Sequence, residues 1–373
     1  MYIKRLNLFN FRNYEQQALE LGSGLNIFVG DNAQGKTNLL EAIYVLSLSK
    51  SYRTGREAEL IRHGEQRATI QAKVQKMAVL DLEVTVSQTG PKKLLVNGKT
   101  TGANCFMGRL NIVLFTPDSL QLVKGSPGDR RRFLDIQICQ IDAVYRSTLL
   151  KYQRVLRQRN TLLKEIPHKR ALLSQLPAWD GQLVALGSRI VLRRTQVVAA
   201  LEKYAAAAHE TISREREHLT IAYQPFFAGT KAEDGATEPQ IEAVTDIFRR
   251  QVQEKREEEI YRGHTLVGPQ RDDLIFSING RDLRTYGSQG QQRTAVLAYI
   301  LAELELMIAE TGEHPIVLLD DVLSELDQSR RSFLLSILNK KAQTIVTTTS
   351  LESFPGELMD QVATFEIRTG KIM

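Results

Sequence analysis

Three features of the sequence predict an α/β fold, in which a P-loop nucleotide-binding head carries an inserted all-helical lobe. A glycine-rich loop at 30–37 lies between an apolar run and a helical pattern. A second apolar run ends in two carboxylates at 320–321, as a central parallel strand does. The residues between these features are β-rich near both ends and helical in the middle. The head is therefore expected to combine a mixed sheet with an antiparallel β subdomain.

The glycine-rich loop has the spacing G-x-x-x-x-G-K-[ST] of a phosphate-binding loop. It reads Gly30-Asp31-Asn32-Ala33-Gln34-Gly35-Lys36-Thr37. At such a turn from strand to helix, backbone N–H groups and the helix dipole point at an anion. Lys36 is placed to reach the β- and γ-phosphates, and the Thr37 hydroxyl to hold Mg²⁺. The loop therefore predicts binding of ATP or another nucleoside triphosphate, with all eight residues as ligands.

The apolar run Pro315–Leu319 leads directly into Asp320 and Asp321 and has the pattern of a Walker B strand. Asp320 is expected to hold Mg²⁺ through water, opposite Thr37. Asp321 is then placed to orient or deprotonate an attacking water. We predict Lys36 and Asp321 as catalytic residues.

The segment Ser288-Gln289-Gly290-Gln291 lies just before a strongly apolar helical pattern. A polar, glycine-containing segment at a helix N-terminus predicts a second anion-binding site. Arg12 and Asn13 interrupt two alternating strands, the first of which is expected beside the P-loop strand. A nucleotide contact and an ordinary polar turn are equally good interpretations of these two residues.

Composition and charge limit the function classes. No apolar run approaches the ~18 residues that a membrane span needs. The two cysteines are isolated, which favours inert thiols in a reducing compartment. The net charge is +6, and residues 129–170 carry eleven Lys/Arg against four Asp/Glu. Such a basic region suggests nucleic acid as a partner, although a solvated helix face explains the charge equally well.

The predicted domain organisation places residues 1–125 and 263–373 in the head and 126–262 in the helical lobe. Helical stretches are expected near 129–166, 179–218 and 242–261, with an exposed loop at 228–239. Asn97-Gly98 and Asn279-Gly280 are strong hairpin-turn signals. Arg146, Arg154 and Arg157 fall on one helix face, at 100° per residue.

The order of these motifs resembles that of the ABC ATPases. Ser288–Gln291 is similar to the ABC signature, and Ser324–Asp327 follows Walker B at the spacing of the D-loop. The order P-loop, insertion, signature, Walker B and D-loop is similar to the SMC branch, but the insertion is too short for its long arms. The resemblance to the RecF family of bacterial recombination mediators covers essentially the whole chain. The segments that carry it are 8–14, 30–37, 115–118, 124–135, 268–273, 288–292 and 319–327.

The sequence departs from related patterns in three places, which involve four residues. Asp321 stands where most ABC ATPases have Glu, which implies slow hydrolysis and a switch-like role. Gln270 stands where many relatives have His. Thr348 and Thr349 stand where these ATPases often carry a switch histidine.

The resemblance implies a cytoplasmic DNA-repair protein that dimerises on ATP, with Ser288, Gly290 and Gln291 of one subunit covering the γ-phosphate held by the other. Ser288, which would donate to that phosphate, is then a third catalytic residue. Such a protein would act as a weak, DNA-dependent ATPase. It would recognise double-stranded DNA and junctions at gaps, and with RecO and RecR would help load RecA in repair, fork restart and the SOS response. The expected DNA contacts are with phosphates, from Arg130, Arg131, Arg132, Arg146, Arg154 and Arg157.

Two other classes share the P-loop. A transporter-type ABC subunit does not account for a helical, basic insertion of this length. A P-loop kinase for a small molecule needs neither a signature helix nor a D-loop. Stimulation of ATP hydrolysis by duplex DNA would distinguish both from the DNA-repair interpretation.

Overall fold

The structure, a computed structural model, describes residues 1–227, 241–354 and 362–373, so the loop expected at 228–239 lies outside the described residues. Packing divides the chain into two compact units, one formed by 1–119 with 303–373 and the other by 120–302. Residues 263–302, which we assigned to the head, pack within the second unit. No helix in the described part of the chain combines the length and apolar character that crossing a bilayer requires.

The described strands, in chain order, are β1 (Tyr2–Phe11), β2 (Tyr14–Glu20), β3 (Leu25–Val29), β4 (Arg67–Gln75), β5 (Val79–Ser87), β6 (Lys93–Val96), β7 (Lys99–Thr100), β8 (Ile112–Phe115), β9 (Leu219–Gln224), β10 (Asp273–Ile278), β11 (Arg281–Asp282), β12 (Ile316–Asp320), β13 (Thr344–Thr348), β14 (Ala363–Arg368) and β15 (Lys371–Ile372).

The described α-helices are α1 (Lys36–Leu48), α2 (Ala103–Phe106), α3 (Gln121–Lys124), α4 (Pro127–Ile141), α5 (Ala143–Glu165), α6 (Leu176–Ser213), α7 (Ile241–Glu254), α8 (Arg256–Arg262), α9 (Leu283–Tyr286), α10 (Gln289–Thr311) and α11 (Gln328–Lys341). Helix α10 begins in the second unit and ends in the first.

The P-loop strand lies in the middle of a mixed six-stranded sheet in the first unit. The strand order is β15-β14-β3-β13-β12-β8, and all pairs except β14 with β15 are parallel. Every residue of β12 and β13 is buried, which explains why these strands are continuous apolar or threonine runs rather than alternating ones. The carboxyl ends of β3, β12 and β13 consequently meet at one edge.

The second sheet of this unit is antiparallel, with the order β2-β1-β4-β5-β6-β7. It confirms the expected antiparallel β subdomain and the hairpin at Asn97 and Gly98, whose φ angles are 50° and 75°. The strand that ends at Phe11 belongs to this sheet, where it pairs with β2 and β4. The prediction that it lies beside the P-loop strand is therefore wrong, since β3 is flanked by β13 and β14.

The second unit contains the long helices α4 to α7 and a three-stranded sheet in the order β11-β10-β9. Strand β9 lies within the segment expected to be wholly helical. Helix α6 ends at Ser213 because Arg214 adopts a left-handed conformation, and Leu219 and Ile221 then alternate as buried residues of a strand. The prediction that 126–262 is entirely helical is therefore wrong at 219–224, where apolar residues alternate with a period of two, as in a strand.

A buried cluster of charges joins the helices of this unit. Arg159 on α5 is fully buried. Its guanidinium donates to Asp180 on α6 at 2.8 Å, to Glu259 on α8 at 2.6 Å and to Thr265 at 2.8 Å. Loss of the guanidinium would remove the cation paired with Glu259, whose side chain is fully buried, whereas Asp180 would keep its ion pair with Arg256 at 2.9 Å.

We therefore expect Arg159→Met to lower the free energy of unfolding by about 3–5 kcal/mol. The matched control is Arg157→Met, the same substitution two residues earlier on an exposed position of α5. We expect that variant to change the free energy by less than about 0.5 kcal/mol. Urea unfolding followed by circular dichroism measures both. Equal stability of the two variants would contradict a structural role for the buried cluster.

Candidate nucleotide-binding site

The P-loop backbone is fixed by close contacts with its neighbours. A Cβ atom at Gly30 would lie 2.4 Å from the carbonyl oxygen of Ile367 on β14. Gly35 has a φ of 121° and faces the Asn13 side chain, which a Cβ atom would approach to 2.6 Å. A side chain at Gly30 would clash with β14, and one at Gly35 would both clash with Asn13 and strain the backbone, so both positions need glycine. The loop is thus held in a shape set by β14 and by the turn after β1.

Gln34 and the exposed residues Asp31, Asn32 and Ala33 form the rim of the loop. The carbonyl of Gln34 accepts from the Asn13 side chain at 2.9 Å and from the Gly370 N–H at 3.0 Å. The loop is therefore anchored from two sheets at its middle, and its outer residues face solvent.

The Lys36 ammonium lies inside the loop. It donates to the carbonyl oxygens of Gly30 at 2.5 Å and Asp31 at 2.8 Å. Burial lowers the pKa of Lys36, while the carboxylates of Asp321, Asp320 and Asp31 oppose this shift. The ammonium group is thus close to both Walker B carboxylates and to the loop that would hold a phosphate.

Asp320 brings the two Walker motifs together. Its Oδ1 accepts from the Thr37 hydroxyl at 3.0 Å and from the Thr347 hydroxyl at 2.9 Å, and Tyr52 donates to Oδ2 at 3.4 Å. A hydroxyl and a carboxylate facing each other are hard oxygen ligands of the kind that Mg²⁺ prefers. The residues expected to hold the metal, Thr37 and Asp320, therefore fit it.

The sequence did not single out Thr347 or Tyr52. Thr347 is the direct neighbour of Asp320 in the parallel pairing of β12 with β13, so strand register would have found it. Burial and the carboxylate of Asp320 raise the pKa of Tyr52, which keeps its hydroxyl a donor. The Thr348 hydroxyl donates to Ser350, and Thr349 is exposed.

Asp321 follows the strand in a left-handed conformation with a φ of 54°, which is uncommon for a residue with a side chain. Its N–H donates to the carbonyl oxygen of Thr347 at 3.2 Å, and its carbonyl accepts from the Ser324 hydroxyl at 2.7 Å. This backbone turn directs the chain from Walker B into the D-loop. There Asp327 begins α11 by accepting from the Arg330 N–H at 3.0 Å.

Arg12 contacts the P-loop helix rather than the loop. Its guanidinium forms two hydrogen bonds with Glu41 on α1, at 2.8 and 2.7 Å. Glu41 is fully buried and also accepts from Arg53 at 3.2 Å. Asn13, by contrast, holds the P-loop directly through Gln34 and accepts from Asn38 at 2.8 Å. Arg12 therefore supports the P-loop helix, and Asn13 supports the loop itself.

The signature segment forms a reciprocal N-terminal cap. Ser288 Oγ accepts from the Gln291 N–H at 3.2 Å, and Gln291 Oε1 accepts from the Ser288 N–H at 2.9 Å. Ser288 is exposed at the start of α10. The segment is therefore ordered within the second unit and displays a hydroxyl at a helix N-terminus. Gln270, which was compared with a histidine position, accepts from the Tyr152 hydroxyl and donates to Val267.

The six arginines expected at DNA divide into two groups. Arg130 is 3% exposed and forms a two-bond ion pair with Asp273 at 2.7 Å. Arg146 is 6% exposed and donates to the Cys139 carbonyl. Arg131 is half-buried and donates to the Asp272 carbonyl. In this conformation Arg130 and Arg146 are buried and Arg131 is half-buried, so these three are less accessible to a phosphate than the other three. Only Arg132, Arg154 and Arg157 of this set are fully on the surface.

Comparison with known proteins agrees with this geometry. The family described as RecF/RecN/SMC N terminal domain matches residues 2–371. A "DNA replication and repair protein RecF" of Geobacillus thermodenitrificans is 43% identical, over 100% of this chain and 99% of that protein. A protein of the same description from Bacillus subtilis is 42% identical, and both chains are covered completely.

Solved structures show the same relation. One described as "Structure of the recombination mediator protein RecF-ATP in RecFOR pathway" is 34% identical, with a TM-score of 0.91 over 100% of this chain and 97% of that one. An Smc head domain from Pyrococcus furiosus shares the fold, with a TM-score of 0.56 and 17% identity over 100% of this chain and 96% of that one. The P-loop, Walker B and signature segments described above all lie within these matches. The chain therefore belongs to the RecF family, within the wider RecF/RecN/SMC group of ATPases.

Proposed function

We propose that this protein is an ATP-dependent recombination and repair mediator that binds DNA. It would dimerise on Mg-ATP, hydrolyse it slowly as a switch, and grip duplex DNA and gap junctions while RecR and RecO help load RecA. The observation that carries the proposal is the meeting of Thr37 and Asp320 at 3.0 Å, with the Lys36 ammonium held inside the P-loop by the carbonyl oxygens of Gly30 and Asp31. Relatives described as DNA replication and repair proteins, and a related mediator solved with ATP, support it.

Each residue of the site has a defined duty in this proposal. The N–H groups of the P-loop and the Lys36 ammonium would bind the β- and γ-phosphates. Thr37 and Asp320 would hold Mg²⁺, which neutralises phosphate charge when bound. Asp321 would orient the attacking water and accept its proton. The aspartate side chain has one methylene fewer than glutamate, so its carboxylate would lie farther from the water, which would account for the slow turnover in this proposal.

The exposed signature supports a site shared by two chains. Ser288 displays its hydroxyl at the surface of the second unit, at the positive end of a helix of 23 residues. In a two-fold dimer, Ser288 of one protomer would face the P-loop of its partner, and the reciprocal contact would form at the same time. ATP would then stabilise the dimer by its greater affinity for the closed state.

The exposed basic face of α5 supports DNA binding by the second unit. Arg154 and Arg157 lie about one turn apart on α5, and Lys164 is exposed on the same side. Arg132 on α4 adds a further exposed charge. Such contacts would be made with phosphates and would therefore depend on salt rather than on base sequence.

A shared site predicts complementation between two inactive variants. We expect Lys36→Ala, which removes the phosphate ligand, and Ser288→Arg, which blocks the signature, each to abolish ATP hydrolysis. An equal mixture should recover about a quarter of the wild-type rate, because half of the dimers contain one intact site of two. Steady-state ATPase assays with duplex DNA, over a range of protein concentrations, measure this. The wild-type rate per chain should rise with concentration.

The matched control is the double variant Lys36→Ala/Ser288→Arg, mixed with either single variant. Those mixtures contain no intact site and should stay inactive. A wild-type rate that is independent of concentration and of DNA, with no recovery in any mixture, would rule out the shared site.

The DNA face predicts a specific charge-reversal effect. We expect Arg132→Glu/Arg154→Glu/Arg157→Glu to weaken duplex binding. The slope of log affinity against log salt should fall by about 0.9 for each phosphate that the variant no longer neutralises. Fluorescence anisotropy with a labelled duplex at several salt concentrations measures both quantities.

The control carries the same charge change at three other exposed arginines, as Arg56→Glu/Arg281→Glu/Arg368→Glu. It should keep a higher affinity and a steeper salt dependence than the α4–α5 variant. Equal losses in the two variants would mean that net charge, and not this face, determines DNA binding.

A further inference from the structure

The signature glutamine has a second polar contact, which comes from outside its own helix. Besides capping Ser288, Gln291 donates from Nε2 to Oε1 of Glu217 at 2.8 Å. Glu217 lies between the end of α6 and the start of β9, 74 residues earlier in the chain. Its carboxylate therefore links the signature segment to the helical part of the second unit.

The backbone around Glu217 is fixed on both sides. His209 on α6 is fully buried, with its Nδ1 atom 3.3 Å from the Glu217 carbonyl oxygen and its Nε2 atom 3.8 Å from the Glu217 carboxylate. The next residue, His218, exchanges two hydrogen bonds with Asn279, at 2.9 and 3.0 Å. The Glu217 side chain, 26% exposed, thus extends from a rigid position towards Gln291.

The carboxylate selects one orientation of the Gln291 amide. A carboxylate only accepts hydrogen bonds, so the NH₂ group of Gln291 must face Glu217. The carbonyl oxygen of the same amide then faces the Ser288 N–H. If the amide turned over, two donors would meet at Ser288 and two acceptors at Glu217. Glu217 therefore favours the single amide orientation that closes the cap around Ser288.

We propose that Glu217 is a positioning residue for the signature motif. It fixes Gln291, and through Gln291 it fixes the Ser288 hydroxyl in the place from which that hydroxyl would meet a γ-phosphate. The last part of this inference rests on the proposed function, whereas the ordering of Gln291 and Ser288 does not. Because Glu217 lies four residues after the end of α6 and its carbonyl oxygen contacts His209 on that helix, a movement of α6 would be transmitted to the signature segment by this hydrogen bond.

Hydrogen exchange in the nucleotide-free, full-length protein tests the positioning role directly. We expect the backbone N–H of Gln291, which donates to Ser288 Oγ, to exchange about tenfold faster in the Glu217→Ala variant than in the wild type. The control is Glu210→Ala, which removes an exposed carboxylate. This carboxylate pairs at 3.3 Å with His218, which lies eight residues later in the chain. It should leave exchange at Gln291 unchanged. Equal exchange in the two variants would overturn the proposal.

An exchange of side chains guards against a general loss of folding. Gln291→Glu alone would place two carboxylates against each other and should lose the protection of the cap. Glu217→Gln/Gln291→Glu restores a donor and an acceptor between the two positions, and should regain protection. A double variant with no more protection than Gln291→Glu would also overturn the proposal.

The kinetics of ATP hydrolysis test whether the positioning of Ser288 by Glu217 affects catalysis. We expect Glu217→Ala to lower kcat about tenfold with an unchanged KM for ATP, because the P-loop binds ATP and the signature acts only in the closed dimer. A raised KM with unchanged kcat would contradict a role through Ser288. Absence of ATP-dependent dimerisation in the wild type would refute the proposed function, while the exchange measurements would still decide whether Glu217 positions the cap.

Discussion

The carboxylate of Asp320 is the point at which three separate segments of the chain meet. Thr37 reaches it from the start of α1, Thr347 from the end of β13, and Tyr52 from the loop after α1. These contacts need β3, β13 and β12 to be parallel neighbours in one register, since only then do their carboxyl ends coincide. The buried apolar residues of the three strands set that register, so the geometry of the site depends on the packing of the sheet.

In the second unit, buried ion pairs join the helices to one another and to the loops around them. Arg159 and Arg194 are almost fully buried, and each is surrounded by carboxylates from other elements. Replacing all members of such a cluster together by apolar side chains of similar volume is often neutral or stabilising, whereas removing one member alone is destabilising. Charged pairs, however, accept only one arrangement of donors and acceptors. The segment around Asp272, which accepts from Arg194, is held in place by this requirement.

The sequence was sufficient for features that depend on local pattern. The P-loop, the Walker B strand, the α/β class and both Asn-Gly hairpins follow from spacing and periodicity, and the structure contains them. Features that depend on pairing between distant segments were missed. The partner sheet of β1, the strand β9 and the contact of Thr347 with Asp320 all require knowledge of which strands are neighbours. Burial of Arg130 and Arg146 was missed for the same reason, since their partners lie on other elements.

Glycines in the P-loop and in the signature segment have different surroundings. Gly30 and Gly35 are required by atoms of their own unit, which a Cβ atom would meet at 2.4 and 2.6 Å. At Gly290, a Cβ atom would meet, among the described residues, only Ser288 Oγ, at 3.9 Å. Packing within the second unit therefore does not explain glycine at this position. The proposed dimer would account for it, because a nucleotide held by a second protomer would approach the backbone of the signature closely. The open space at Gly290 and the exposed hydroxyl of Ser288 thus favour the same composite site.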